Sequence, residues 1–207
     1  MAKRVIDLVV AALTLIVLSP LFVVIGIWVK LDSDGPLFFR QIRIGRRGAE
    51  FKIFKFRSMN TNAETVGGQL TIGADPRVTW AGRFLRRYKL DELPQLFNVV
   101  VGQMSLIGPR PEVPKFVAKY PPALRDLVLS VRPGITDLAS IIYRDESALL
   151  AGSPDPEKTY VEQVMPVKLK YYAHYARTHS ICGDCKIAAL TVVALLLPTS
   201  RGRRSRS

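Results

Sequence analysis

The chain is poor in the residues on which much enzyme chemistry rests. Only two cysteines and two histidines occur in 207 residues. The cysteines stand together as "CGDC" (Cys182, Cys185). One CxxC can serve redox exchange or form half of a zinc site. Here no second pair exists, neither histidine has a useful spacing, and no thioredoxin-like strand–helix context surrounds the motif, so two buried thiols in a reducing compartment are expected. The sequence has no P-loop, no glycine-rich kinase motif and no Ser-His-Asp set, which leaves ATP and acyl chemistry without residues to carry them. Internal repeats and a second domain are absent too. The length suits one domain with at most an appendage, and 48% hydrophobic residues can supply its core. Acids are also scarce: 17 Asp+Glu stand against 30 Lys+Arg, a net charge of +13. Such a balance points to an anionic partner, whether nucleic acid, a phosphorylated substrate or an acidic membrane surface. Part of it is a tail, "TSRGRRSRS" (199–207), with no apolar residue and an expectation of disorder.

What is plentiful is apolar sequence at the start. Residues 5–29, "VIDLVVAALTLIVLSPLFVVIGIWV", would rise about 37 Å as a straight helix, enough to cross a hydrocarbon core of about 30 Å. The run is too long for a signal peptide and no A-x-A site follows it. Three details oppose a simple crossing. Pro20 cannot donate to the Ile16 carbonyl and should kink the helix, and Ser19 can bond back to the backbone that the proline frees. Basic residues flank both ends (Lys3 and Arg4, then Lys30), so both ends favour the cytoplasm. A helix broken at Ser19-Pro20 that dips in and returns meets these constraints, with Asp7 near the polar end; one kinked transmembrane helix is the alternative. Near the other terminus "IAALTVVALLLP" (187–198) is too short to span. It reads as a core or membrane-surface helix, able with the arginine tail to lie on anionic phospholipid.

Between these, Gly-Pro and Arg-Gly punctuation predicts a hairpin of residues 37–44 and 50–57 around "GRRG". It carries Arg40, Arg43, Arg46, Arg47, Lys52, Lys55 and Arg57, either a solvated face or a nucleic-acid surface. Residues 61–74 are polar and Gly-rich, a loop and a possible cover for a site. Asp75-Pro76 predicts a helix start, and Trp80, Phe84 and Tyr88 at i, i+4, i+8 predict a buried stripe on it. Pro94 opens a second helix, "PQLFNVVV", closed by Gly102. Residues 158–180 read as a polar helix whose Tyr171, Tyr172 and Tyr175 pack.

The acids that remain are oddly placed. Asp91 and Glu92 sit beside Arg83, Arg86, Arg87 and Lys89, at a helix N-terminus that favours an ionised carboxylate and also a bound phosphate. Either they pair with those cations, or the cations hold an anion on which the acids act. "GPRP" (108–111) and "VRPG" (131–134) each fix an arginine against proline, which suits bidentate phosphate contact, although such prolines can simply shape loops. A carboxylate is a poor base for an alcohol but a usable nucleophile toward phosphorus. It approaches a diphosphate only if arginines and a divalent cation neutralise the charge, and a second acid is the natural metal ligand.

Seven motifs in register, "KRVID" with "LSP", "GPLFFRQIRIG", "FKFRSM", "DPRVTWAGRFLR", "LDELPQLFNVVVGQMSLIGPRP" and "VRPGIT", make the chain resemble the small monotopic phosphoglycosyl transferases, bacterial sugar transferases that start glycan assembly on a polyprenol carrier. The resemblance implies an α+β, helix-dominated fold: a re-entrant membrane helix over 1–30, a catalytic domain with a small β-hairpin and amphipathic surface helices over 31–198, and the basic tail. It implies transfer of a phospho-sugar from a UDP-sugar to polyprenol (undecaprenyl) phosphate with release of UMP and with Mg2+, at the cytoplasmic face of the bacterial inner membrane, with no nucleic acid among the partners. Asp91 maps onto the nucleophile, Glu92 onto the metal-associated acid, and the two together onto the metal site. Arg86 and Arg110 map onto basic positions assigned to phosphate binding, a role expected also of Arg132 and Lys55. Ser19-Pro20 maps onto the helix break, and Asp184, inside CGDC, onto a further family acid. Asp137 stands where the family commonly has Gly, and "LASIIYRDESALLAGSPDPEKTY" departs from its usual segment, so the sugar does not follow. A membrane-tethered nucleic-acid binder and an inactive scaffold with a salt-bridged dyad are the rival readings.

Overall fold

The computed structural model describes residues 1–61 and 70–197. The expectation for the 199–207 tail, and most of that for the 61–74 loop, therefore lie outside the described residues. In chain order come α1 (Ala2–Val17), α2 (Ser19–Asp32), β1 (Phe38–Ile44), β2 (Glu50–Phe56), α3 (Trp80–Arg87), α4 (Gln95–Val100) and β3 (Ser105–Ile107). After these follow α5 (Pro114–Val117), α6 (Pro122–Val128), β4 (Gly134–Thr136), α7 (Leu138–Ile142), α8 (Glu146–Ala151), α9 (Pro156–Thr159), α10 (Met165–Thr178) and α11 (Ile181–Leu196). The architecture is helix-dominated with one small antiparallel hairpin.

The N-terminal apolar run breaks where its sequence requires. α1 and α2 meet at 63°, and among the described residues no single helix is long and apolar enough to cross a membrane. Pro20 lies in the first turn of α2, where its missing N–H costs nothing, and Ser19 Oγ donates to the Ile16 carbonyl at 2.8 Å. Both outer ends are tied to the rest of the chain. Arg4 donates to the Val99 and Val100 carbonyls at 2.6 and 3.0 Å, satisfying acceptors that the end of α4 leaves free. Buried Asp7 accepts from Ser105 Oγ at 2.7 Å and from the Leu106 N–H at 3.3 Å. At the far end Asp32 accepts from the Ala81 N–H at 3.1 Å. Buried Arg57 donates to the carbonyls of Val29 (3.1 Å), Ser33 (2.5 Å) and Pro36 (2.6 Å).

The hairpin pairs Phe38 with Phe56 and Ile44 with Glu50, and its two faces serve two cores. Phe51 and Ile53 pack with Ala11, Leu96, Val99 and Met104. Phe56, of opposite parity, packs with Ile25, Val29 and Leu85. Lys55 shares the parity of Ile53 and so is carried toward the residues just ahead of α4. A second, parallel pair, β3 with β4, joins Ser105 to Gly134 and Ile107 to Thr136. At that crossing a Cβ on Gly134 would lie 2.1 Å from the Gly108 nitrogen, and one on Gly108 would lie 2.6 Å from the Arg132 carbonyl. A third core gathers Phe116, Tyr120, Leu150, Tyr160, Leu169 and Tyr172.

Three expectations are corrected. α3 starts at Trp80 with Thr79 capping the Gly82 N–H at 3.0 Å, because Asp75 is taken by Arg77 at 2.7 Å. The stripe Trp80, Phe84, Tyr88 is not buried: its members are 65%, 44% and 45% exposed. The small face of α3 turns inward instead, since Gly82 lies so close to Ser58 that a Cβ would be 2.1 Å from its carbonyl oxygen. The aromatic stripe lies outside against Trp28, at ring distances of 5.4 Å (Trp80) and 5.3 Å (Phe84). Cys182 and Cys185 are free and exposed, because α11 turns Asp184 inward between them.

Candidate active site

The dyad occupies a tight connection between α3 and α4. Lys89 adopts a left-handed conformation (φ 57°) that ends α3, and residues 90–92 form a single 3-10 turn. Leu93 and Pro94 keep right-handed helical angles into α4. Asp91 and Glu92 are consequently buried, at 5% and 9% exposure.

Glu92 accepts from Lys55 Nζ at 2.9 Å and from Arg110 through both terminal nitrogens, Nη1 at 2.9 Å and Nη2 on the oxygen that Lys55 also holds. The Arg110 turn is anchored by the parallel strand pair: the Gly134 N–H donates to the Pro109 carbonyl at 2.9 Å and the Gly108 N–H to that of Thr136 at 3.1 Å. Asp91 is held differently. Its Oδ1 is buried and has no hydrogen-bond partner among the described residues. Arg86 borders it, donating through Nε to Ser58 Oγ at 2.8 Å and through Nη1 to Thr71 Oγ1 at 3.1 Å.

These environments push the two carboxyls apart. Burial raises the Asp91 pKa above the ordinary carboxylate value; Lys55 opposes the rise and Glu92 adds to it. Burial acts on Glu92 as well, but Arg110 and Lys55 outweigh it and hold that carboxyl well below its usual value. Burial likewise lowers Lys55 against the pull of Glu92, whereas Glu92 raises Arg110. One acid is locked as an ion pair and the other is left with an unused oxygen.

Of the residues expected at the site, Asp91, Glu92, Lys55 and Arg110 come together and Arg86 stands at their edge. Arg132 does not join them; its Nε donates to the Gly102 carbonyl at 3.0 Å. Asp184 takes Lys3 Nζ at 2.5 Å and the Tyr175 hydroxyl at 2.8 Å, so it holds the start of α1. Ser19 and Pro20 lie at the helix bend. The sequence reading passed over Ser58 and Thr71, which position Arg86. Arg43, expected with the other hairpin cations on a solvated or nucleic-acid face, instead donates through Nη1 to the Pro111 carbonyl at 3.1 Å, and Gln95, fully buried four residues after Asp91, was not among the expected residues. For Gln95 that helical spacing was the available signal.

A family model described as bacterial sugar transferase matches residues 1–198. The chain belongs to that family. A UDP-glucose:undecaprenyl-phosphate glucose-1-phosphate transferase of Klebsiella pneumoniae is 40% identical over 92% of this chain and 39% of its own length. A UDP-N-acetylgalactosamine-undecaprenyl-phosphate N-acetylgalactosaminephosphotransferase of Aeromonas hydrophila is 35% identical over 94% of this chain and 43% of its own length. The exopolysaccharide production protein ExoY of Sinorhizobium fredii is 34% identical over 97% of this chain and 87% of its own length. The chain thus spans about two-fifths of the first two relatives and most of the third.

For this bacterial sugar transferase, the donor set fits Mg2+ to a limited degree. Among the described residues no three His, Cys, Asp or Glu side chains cluster as a metal cage. Mg2+ ordinarily takes one or two carboxylates and fills its shell with water and substrate phosphates. The free Oδ1 of Asp91 and the shared oxygens of Glu92 suit that pattern. Chemically the group offers a buried carboxylate with an unshared oxygen beside fixed cations.

Proposed function

We propose that this sugar transferase moves a phospho-sugar from a UDP-sugar to polyprenol (undecaprenyl) phosphate and releases UMP. The observation that carries the reading is the contrast inside the dyad: Glu92 is clamped by Arg110 and Lys55, while buried Asp91 keeps an oxygen without a partner. Asp91 attacks the sugar-linked phosphorus of the donor. A carboxyl oxygen–phosphorus bond forms, the phosphorus–oxygen bond to UMP breaks, and its electron pair leaves on UMP. An oxygen of polyprenol phosphate then attacks the same phosphorus and returns the Asp91 carboxylate. Arg110, Lys55 and Arg86 balance the diphosphate charge. Mg2+ held by Asp91 and Glu92 would supply further charge neutralisation on the phosphates.

The membrane part of the proposal is a re-entrant helix on the cytoplasmic face. Its support is that both ends of the bent pair are held by the same body, Arg4 and Asp7 at one and Asp32 and Arg57's acceptors at the other. Val5, Val9, Leu13, Ile16, Val17 and Val23 are exposed between those ends. Trp28, Trp80, Phe84 and Tyr88 make the kind of aromatic surface that sits at headgroup depth. Of the hairpin cations, Lys55 and Arg57 turn inward onto Glu92 and backbone carbonyls, whereas Arg40, Arg46, Arg47 and Lys52 stay exposed.

The test is UMP release from a panel of UDP-sugars, UDP-glucose and UDP-N-acetylgalactosamine included, with short-chain polyprenol phosphate and Mg2+, beside Asp91→Asn. Release with one donor that vanishes in the variant supports the reading. Release that survives the variant removes Asp91 as nucleophile.

A further inference from the structure

Residues 90–100 follow one nearly continuous right-handed path. The Leu93 N–H bonds the Leu90 carbonyl at 3.3 Å, Leu96 bonds Leu93 at 3.0 Å and Phe97 bonds Pro94 at 3.0 Å. These bonds each span three residues, the tighter form of helix, so Asp91 stands in the turn that leads into α4, while Gln95 and Asn98 share one face inside α4. All three are buried, both amides at 0% exposure. The two amides are nonetheless treated in opposite ways. Asn98 Nδ2 donates to the Lys52 carbonyl at 2.9 Å and to Gln103 Oε1 at 2.8 Å, and its Oδ1 accepts from the Phe54 N–H at 2.9 Å. It is a structural brace between α4 and β2. Gln95 makes no such bond: among the described residues Nε2 and Oε1 are both buried without a partner.

A buried amide with nothing to bond is costly, and native proteins rarely keep one without a use. Its position supplies the use. Gln95 follows Asp91 by four residues, at the start of the helix that the Asp91 turn leads into, and among the described residues both side chains keep a buried polar atom without a partner. We infer that Gln95 is a further catalytic residue, whose side-chain N–H groups donate to an oxygen of the phosphoryl group as it passes onto and off Asp91. The inference rests on the proposed phosphoryl transfer. A neutral donor is apt at this place. Lys55, Arg86 and Arg110 already supply positive charge around the dyad, and a fourth cation against Asp91 would stabilise its carboxylate and blunt it as a nucleophile. An amide stabilises charge on the moving phosphoryl oxygens without that penalty.

The experiment compares wild type, Gln95→Met and Asn98→Leu in detergent or nanodiscs. It measures the UMP burst from UDP-sugar without acceptor, the covalent adduct by intact mass, donor binding by calorimetry, and Tm. Gln95→Met keeps the shape and removes the orphan polar atoms. The expected result is a Tm equal to wild type or higher by about 2–4 °C, donor Kd within a few-fold, and a burst rate about 10²-fold lower. Asn98→Leu should lower Tm. A Gln95→Met burst at the wild-type rate overturns the inference. So does a large fall in Tm for Gln95→Met, since the amide would then be bracing the fold. If wild type itself gives neither burst nor adduct, the transferase reading fails and this inference goes with it, whereas a normal wild type with an unimpaired variant leaves that reading intact.

Discussion

Arg110 grips both oxygens of Glu92, and Lys55 reaches one of the same oxygens from β2 at 2.9 Å. Three charges are thereby fixed in a buried cluster in which no member can be removed without stranding the others. Glu92→Gln leaves two cations facing a neutral amide, and breaking a buried pair in this way costs about 3–5 kcal/mol. Denaturant titration of the variant should show that loss at neutral pH. The difference from wild type should shrink as pH falls through the depressed Glu92 pKa, because the stability given by a lowered carboxyl is present above its unfolded value and lost as the folded group protonates.

Asp91→Asn should behave in the opposite sense. Burial raises the Asp91 pKa, so the folded protein favours the protonated form and bears a cost when the group is ionised. Stability relative to the variant is complete below the unfolded pKa of about 3.9 and declines as pH rises through the folded value. The variant should therefore be inactive yet more heat-stable than wild type at pH 7, with the gap closing near pH 4. Thermal melts across that range check it. The same shift places the acidic limb of kcat/KM for wild type above the pH of an ordinary aspartate.

Replacing Ser19-Pro20 by Ala-Leu should straighten the bend between α1 and α2. The backbone bond from Ser19 is lost, and the helix regains the hydrogen bond that proline forbids. With the exposed Cys182 and Cys185 changed to Ser, labelling of a cysteine placed at Ala2 by a membrane-impermeant reagent should report the same side as the catalytic domain in the otherwise wild-type protein and the opposite side in the straightened variant.

Gly82→Ala adds a methyl 2.1 Å from the Ser58 carbonyl oxygen. Overpacking of this kind costs about 1–3 kcal/mol. Ser58 also carries Arg86, so UMP release should fall with stability. An Ala81→Gly control, which adds no atoms, should leave Ser58 in place and activity largely intact.

Much of this arrangement was legible because local chemistry dictates it. Pro20 stops one helix, Pro94 and Gly102 bound another, and "GRRG" closes the hairpin. The Asp91-Glu92 pair was visible as an anomaly of charge. What stayed hidden depends on partners far along the chain. The spacing of Trp80, Phe84 and Tyr88 defines a stripe but not the medium it faces, and the Gly82–Ser58 contact that decides this lies 24 residues upstream. Arg57 reads as one more exposed cation, although it ends on the Val29 and Ser33 carbonyls. Strands of three residues, β3 and β4, leave no alternation to read. Arg132 shares the proline setting of Arg110 and still turns to Gly102, because a turn fixes a backbone and not a side chain.

Gly108 and Gly134 meet so closely that neither has room for a single methyl group. The contact works as a rivet between the arginine turn and the strand that leads into Asp137. Every UDP-sugar presents the same diphosphate and differs only in its sugar. Under the proposed transfer, a rivet at this point would let the chain beyond Thr136 change with the sugar while the guanidinium of Arg110 keeps its place beside Glu92.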